Sequence, residues 1–210
     1  MAITPLPPPD EMIQAVSNEL HALNTASQAL DRGQDDQGGA AGIPAKSLPI
    51  FGLKADDLRE IAPQDDPRGN ILAEKAQELG WRFLVHESGG TASLVDCSPP
   101  QEQGGKPSSM VIRGPSVERF QLAVEKATEK TPEGLKLEPR VLDFGPLGMT
   151  ELWLHGIPEV EDLFYSLGKA DSDASPRKAS EVLEEAMERL RQQAVYPAPG
   201  DNAIDDDLGG

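Results

Sequence analysis

The sequence predicts an α+β fold built on a five-stranded antiparallel sheet, with elements in the order helix, three strands, helix, two strands, helix. Two observations predict the sheet: apolar residues alternate on both sides of the turn Glu87–Gly90, and again around the stretch 145–149. A third predicts the helices, because apolar residues recur every three or four positions in 117–127 and 182–190. The compact block therefore lies within 69–156, preceded by an N-terminal helix and flanked by flexible tails.

The first predicted part, residues 1–47, consists of a helix and a flexible linker. Asp10 is a good N-cap residue, and the apolar residues after it recur at steps of three, four, three and seven. Such a narrow stripe is typical of a seam that pairs with one partner helix or groove. Its members are Ile13, Val16, Leu20, Leu23 and Leu30. Gly33 ends this helix, and the Gly-rich segment 34–46 predicts the linker.

The second predicted part, residues 48–168, is the α+β core domain. It begins with an apolar segment that Pro49 interrupts, which predicts an irregular arm and not a strand. The predicted elements after it are a helix over 71–80, strands at 81–86, 91–96 and 110–112, a helix capped by Ser116, strands at 140–144 and 150–154, and a helical turn over 160–167.

Two further parts complete the predicted organisation. Residues 169–195 hold a C-terminal helix, for which Ser175 is the cap and Pro176 the first helical residue. Residues 196–210 are acidic and rich in proline and glycine, which predicts a disordered tail.

Strand alternation sorts the side chains of the predicted sheet by face. Pairing His86 with Thr91, and Phe144 with Thr150, places one apolar face against the helices and leaves a mixed second face with Leu84, Val95, Val141 and Trp153 among charges. Aromatic residues on such a face are common contact residues. The predicted partner-binding residues, from this face and the helix stripe, are Trp153, Val141, Leu84, Ile13, Val16, Leu20 and Leu23. The alternative is that a terminal helix of the chain covers this face.

Charge narrows the class of partner. The chain has 36 acidic and 19 basic residues and a formal charge of −17. That field repels nucleic acid and anionic membranes and favours a basic protein partner, although solubility alone also explains it. The chain starts without a signal-peptide pattern, and no apolar stretch reaches the about 20 residues that span a bilayer. We therefore expect a cytoplasmic protein.

Few residues suggest catalysis or a cofactor. Cys97 is the only cysteine, which excludes an intrachain disulfide and a cysteine-rich zinc site. The histidines lack metal-binding spacing, and no phosphate-binding glycine motif occurs, so no cofactor or metal is expected. Two arrangements stay open: Cys97 approached by His155 across the sheet, and a carboxylate site in which Asp143 and Glu151 lie opposite each other.

The segment from Leu79 to Asp96 is a helix end followed by a strand, a turn and a strand. With the order of elements between Gly69 and Gln193, it resembles the class I chaperones of type III secretion. The resemblance implies a small, acidic, usually dimeric protein without enzymatic activity, which holds an extended segment of a secretion substrate. A long N-terminal helix and an acidic segment before the last helix distinguish this chain from that pattern.

The sequence thus favours a non-enzymatic protein-binding module of chaperone-like, adaptor or inhibitor/immunity type. Its expected partner is a protein that is basic or presents an extended segment, and a homodimer is compatible with the same surfaces. The alternatives are a small enzyme that uses Cys97 with His155 or Asp143 with Glu151, and a structural subunit of a larger assembly.

Overall fold

A seven-stranded sheet with helices on both faces forms the body of the computed structural model, which describes residues 7–30, 43–86, 92–100, 105–131, 135–156, 160–168 and 175–195. Side-chain burial is described for these residues apart from 23–30, 43–45 and 195. The strands are β1 (Ile43–Gly52), β2 (Gln77–His86), β3 (Ala92–Ser98), β4 (Ser108–Ile112), β5 (Leu137–Asp143), β6 (Thr150–Gly156) and β7 (Leu163–Ser166). The helices are α1 (Asp10–Leu30), α2 (Ala55–Glu60), α3 (Asn70–Lys75), α4 (Pro115–Lys130) and α5 (Ala179–Val195).

The predicted α+β class is confirmed, and the sheet differs from the prediction in detail. Neighbouring strands follow the order β4-β3-β2-β1-β5-β6-β7, so the described part of the chain has two strands more than predicted. All neighbours are antiparallel except β1 and β5. The predicted linker spans 34–46: its residues 34–42 lie outside the described residues, while 43–46 belong to β1, so that part of the prediction is wrong. The turn Glu87–Gly90 and the tail 196–210 also lie outside the described residues.

Both predicted hairpins are present, as β2–β3 and β5–β6, but each has a register one residue away from the prediction. His86 pairs with Ala92, and Asp143 pairs with Thr150. The prediction paired His86 with Thr91, the residue before Ala92, and it paired Thr150 with Phe144, the residue after Asp143. Because successive side chains point to opposite faces, this shift moves one strand of each hairpin to the other face.

Strand β1 lies at the centre of the sheet and crosses the predicted domain boundary between residues 47 and 48. Pro49 predicted an irregular arm at this point, because proline lacks the N–H that a central strand donates. The pairing shows how the prolines of β1 are accommodated. β1 pairs with β2 along its whole length but with β5 only over Ile50–Gly52, a three-pair contact that we call the β1–β5 ladder. Pro44 and Pro49 precede this ladder, in a part of β1 that pairs with β2 alone among the described residues.

One predicted helical turn is a strand in the structure, and two predicted helices have different boundaries. Residues 163–166 form β7 and not a helical turn, with Phe164 and Tyr165 buried on opposite faces. The predicted helix over 71–80 ends at Lys75, since β2 begins at Gln77. The last helix begins at Ala179, because the backbone before it forms a bridge to β7 instead.

One face of the sheet, which we call the α4 face, is covered by α4. Its core includes Leu84, Leu94, Val141 and Leu152 from the strands, and Phe120 from α4. These strand residues belong to both ends of the sheet, so α4 packs across the β1–β5 ladder. The α4 face is therefore one continuous apolar core.

The opposite face is covered in two separate regions. Met12, Val16 and Leu20 of α1 pack on the part formed by β2 and β3. The part formed by β5, β6 and β7 packs against α5, α2, α3 and the loop after α2. The prediction of an open second face is wrong, because the chain's own helices cover both sides of the sheet.

Candidate functional site

The three predicted contact residues on the sheet lie in the core. Trp153 and Val141 are 0% exposed and Leu84 is 6% exposed. The corrected registers place Leu84 and Val141 on the α4 face and Trp153 on the opposite face, against Phe51 and Phe164. The prediction that these side chains form an exposed surface is wrong, because helices cover both faces.

The α1 stripe packs on the protein's own sheet. Val16 is 0% exposed and Leu20 is 3% exposed, in the same cluster as Trp81 and Phe83. Both are therefore unavailable to a partner while α1 stays in place. Ile13 is 38% exposed and so remains a surface residue, and the side chain of Leu23 lies outside the described residues.

The Cys97–His155 arrangement is also contradicted. Cys97 lies on β3 and His155 on β6, and β2, β1 and β5 stand between them. Four strand spacings of about 4.8 Å put about 19 Å between them, far beyond hydrogen-bond reach. Cys97 is fully buried beneath α1, with its Sγ 3.3 Å from the sulfur of Met12. Burial, with a smaller contribution from the Glu11 carboxylate, raises the pKa of this thiol, which disfavours the reactive thiolate.

The predicted Asp143–Glu151 site does not form either. Asp143 pairs with Thr150, while Glu151 pairs with the neighbouring residue of β5, so the two carboxylates point to opposite faces. Asp143 accepts a hydrogen bond of 2.8 Å from the backbone N–H of Gly145. Glu151 is 1% exposed and lies 3.3 Å from the guanidinium of Arg177. Each carboxylate therefore has a separate structural role.

The sequence interpretation missed Asp162, a carboxylate that is only 2% exposed. Its oxygens accept hydrogen bonds from Trp153 Nε1 at 2.7 Å and from the backbone N–H of Gly156 at 2.8 Å. Nδ1 of His155 lies 3.1 Å away. A Cβ on Gly69, which has φ of 87°, would lie 2.5 Å from the same carboxylate. The only sequence signal is an acidic residue beside a buried apolar run.

A histidine held by a buried carboxylate has the orientation that metal ligands and general bases use. The side chain of His155 is 19% exposed. Among the described residues, however, no group of three histidine, cysteine or acidic side chains is placed to hold a metal. The backbone N–H of Asp162 also donates to the carbonyl of Arg68 at 3.1 Å. The contacts of Asp162 therefore tie the β6–β7 connection to the loop before α3.

The clearest candidate for a contact surface is the edge strand β4. It pairs with β3 on one side, and in the described part of the chain no strand pairs with its other edge. Its sequence, Ser-Ser-Met-Val-Ile, has no charged residue. Met110 at its centre is 59% exposed, the most exposed large apolar side chain among the described residues. At the other end of the sheet, β7 bridges to the backbone of Arg177, so that edge is partly covered.

The ends of β4 differ from its middle in polarity. Lys106 and Arg113 flank the strand. Ser109 lies on the side that faces α1, where its hydroxyl donates to Glu19 at 3.2 Å. Natural edge strands are usually protected by a charge or a proline within the strand, and β4 has neither.

Comparison with known proteins gives no match: no protein-family model, no curated protein and no solved structure is significantly similar to this chain. Among the described helices, none is both long and apolar enough to cross a membrane.

Proposed function

We propose that this protein is a non-enzymatic protein-binding module, and that the outer edge of β4 pairs with an extended segment of a partner protein. The observation that carries the proposal is the combination of an edge to which no strand pairs in the described part of the chain, an uncharged strand and the 59% exposure of Met110. An edge strand presents a row of backbone donors and acceptors that another strand can satisfy. Such strand addition is a recurring mode of peptide recognition.

Two kinds of contact contribute to this recognition, main-chain hydrogen bonds and side-chain contacts. Main-chain hydrogen bonds along β4 supply affinity without reading sequence. Side chains of the partner segment that lie beside Met110 supply selectivity for apolar residues. The net charge of −17 speeds the approach of a basic partner without itself forming the interface.

This mode is compatible with the chaperone-like role that the sequence resemblance implies, since such a protein holds an extended segment of its client. An adaptor or an inhibitor can use the same edge. A second copy of the chain that presents its own β4 is the competing occupant, and it would make the protein a dimer. A structural subunit that joins neighbours by the same edge would form larger assemblies.

A pair of photo-crosslinking variants tests the proposal. A benzoylphenylalanine at position 110 samples the β4 edge, and one at position 122 samples α4, where Leu122 is 43% exposed. After irradiation in cells of the native source, we expect a distinct crosslinked partner from position 110 and none from position 122. Adding Ser109→Lys to the position 110 variant places a charge in the strand, and we expect it to reduce that crosslink several-fold.

Three outcomes would overturn the proposal. The first is the absence of any crosslink from position 110, and the second is an equal yield of the same partner from both positions. The third is a crosslinked product that contains only this chain, together with a dimer in light scattering, because it would assign the edge to self-association.

A further inference from the structure

A pocket of about 170 Å³ lies between α4 and the sheet, on the α4 face. Its lining comes from five strands or strand ends and from the first turns of α4. The lining residues are Arg82, Leu94, Ile112, Ser116, Phe120, Thr150 and Leu167. None of them belongs to the sites predicted from the sequence, and Met110 does not line it.

The polar side of the pocket is rich in hydrogen-bond donors. Arg82 is 8% exposed, and its Nε and Nη2 donate to the carboxylate of Asp96 at 2.7 and 2.6 Å. A guanidinium has five N–H groups, so this pair leaves others for a further acceptor. Ser116 accepts a hydrogen bond from Arg119 at 3.0 Å, which leaves its own hydroxyl hydrogen to donate. Thr150 adds a second hydroxyl.

Among the charged side chains described at this side, the cations Arg82 and Arg119 outnumber the carboxylate of Asp96. Asp96 balances Arg82, but the guanidinium of Arg119 stands beside Ser116 as an additional cation. Its Nε is buried and has no hydrogen-bond partner among the described residues. An acceptor that carries negative charge therefore suits the polar side better than a neutral group.

The other side of the pocket is apolar. Leu94 and Phe120 are each 1% exposed, Leu167 is 7% exposed and Ile112 is half-buried. An apolar protein cavity of about 150 Å³ is large enough to hold benzene. The ring of Phe120 lies 5.9 Å from the Arg82 guanidinium carbon, so the apolar and polar sides are adjacent.

We propose that this pocket binds a small monocarboxylate with a compact apolar body of about the size of a phenyl ring. The carboxylate accepts hydrogen bonds from Arg82 and from the hydroxyls of Ser116 and Thr150. The apolar body packs between Phe120 and Leu94. The proposal is independent of the β4 edge, because it concerns the interior of the α4 face.

Benzoate and benzyl alcohol are matched probes, since they share a ring and differ in the charge of the polar group. Titration of each into the isotope-labelled full chain, followed by amide chemical shifts, measures affinity and location together. We expect benzoate to bind about tenfold more tightly than benzyl alcohol, with the largest shifts at Leu94, Phe120 and Leu167. Equal affinities would refute the carboxylate preference. Benzoate shifts elsewhere, or none at millimolar concentration, would refute the site.

Two variants of β4 separate the pocket from the exposed edge. Ile112→Phe adds volume at a half-buried lining position, and Met110→Phe adds it two residues away outside the pocket. We expect Ile112→Phe to abolish benzoate binding and Met110→Phe to leave it unchanged. Thr150→Val keeps the side-chain shape and removes a hydroxyl, and we expect it to weaken binding several-fold. Loss of benzoate binding in Met110→Phe with unchanged binding in Ile112→Phe would overturn the proposal. The comparison of benzoate with benzyl alcohol uses the wild-type protein, so it does not depend on how any variant folds.

Discussion

Two buried polar side chains of the β6–β7 region differ in how well their hydrogen bonds are satisfied. Asp162 accepts from Trp153 and Gly156 and lies beside His155, so its burial is compensated. Tyr165 is 0% exposed, yet its hydroxyl has no hydrogen-bond partner among the described residues. An unsatisfied buried hydroxyl costs free energy that the same ring without oxygen would not. Burial also raises the pKa of this hydroxyl.

We expect Tyr165→Phe to be neutral or to raise the free energy of unfolding by up to about 1 kcal/mol at pH 7. A raised folded-state pKa means that the neutral form is favoured in the fold, so stability is lost as pH rises above the ordinary tyrosine value of 10.0. The difference in free energy of unfolding between Tyr165→Phe and the wild type should therefore grow, in favour of the variant, above about pH 10. Urea unfolding at pH 7 and pH 10.5 measures both effects. A loss of more than 1 kcal/mol at pH 7 would mean that the hydroxyl has a partner after all.

At the scale of elements, the sequence predicts alternating strands and amphipathic helices well, but not where they pack. The hairpin strands were predictable because their apolar residues alternate beside a glycine turn. β1 was not, because Pro44 and Pro49 argue against a central strand and only the short β1–β5 ladder accommodates them. The stripe of α1 has the same pattern whether it packs on its own sheet or on a partner. Its burial therefore could not be read from the sequence, and neither could the hydrogen bonds of Asp162.

Two positions of α1 test the packing of this helix. Val16 is 0% exposed and Ile13 is 38% exposed, and both are β-branched residues of the same helix. Replacing either by alanine gains similar helix propensity, so the difference reports burial. We expect Val16→Ala to lower the free energy of unfolding by about 2 kcal/mol, and Ile13→Ala to change it by less than about 0.5 kcal/mol. Denaturant titration provides the comparison. If both substitutions had equally small effects, α1 would not be packed on the sheet in solution, and its apolar stripe would be available to a partner.

At the scale of the whole molecule, the sheet is two antiparallel halves joined by the three pairs of the β1–β5 ladder. One half is β4-β3-β2-β1 and the other is β5-β6-β7. On the opposite face each half has its own helices, α1 on one and α5 with α2 on the other. Among the described residues the larger shared core is the α4 face. On the opposite face the halves meet through Phe51 of β1, whose ring lies 5.7 Å from that of Trp153 in β6. Cooperativity between the halves should therefore depend on α4.

Hydrogen exchange in mild denaturant tests this division, because it resolves which amides open together. Phe120 is 1% exposed in the shared core, and Leu183 of α5 is fully buried over the second half. Each truncation to alanine removes a large buried side chain, with an expected cost of about 2–5 kcal/mol. We expect Phe120→Ala to accelerate exchange in both β2 and β6, since it loosens the contact that spans the ladder. Leu183→Ala should accelerate exchange in β6 and β7 well before β2 and β3. Equal acceleration of both halves by Leu183→Ala would contradict this division, because it would mean that the molecule opens as one unit.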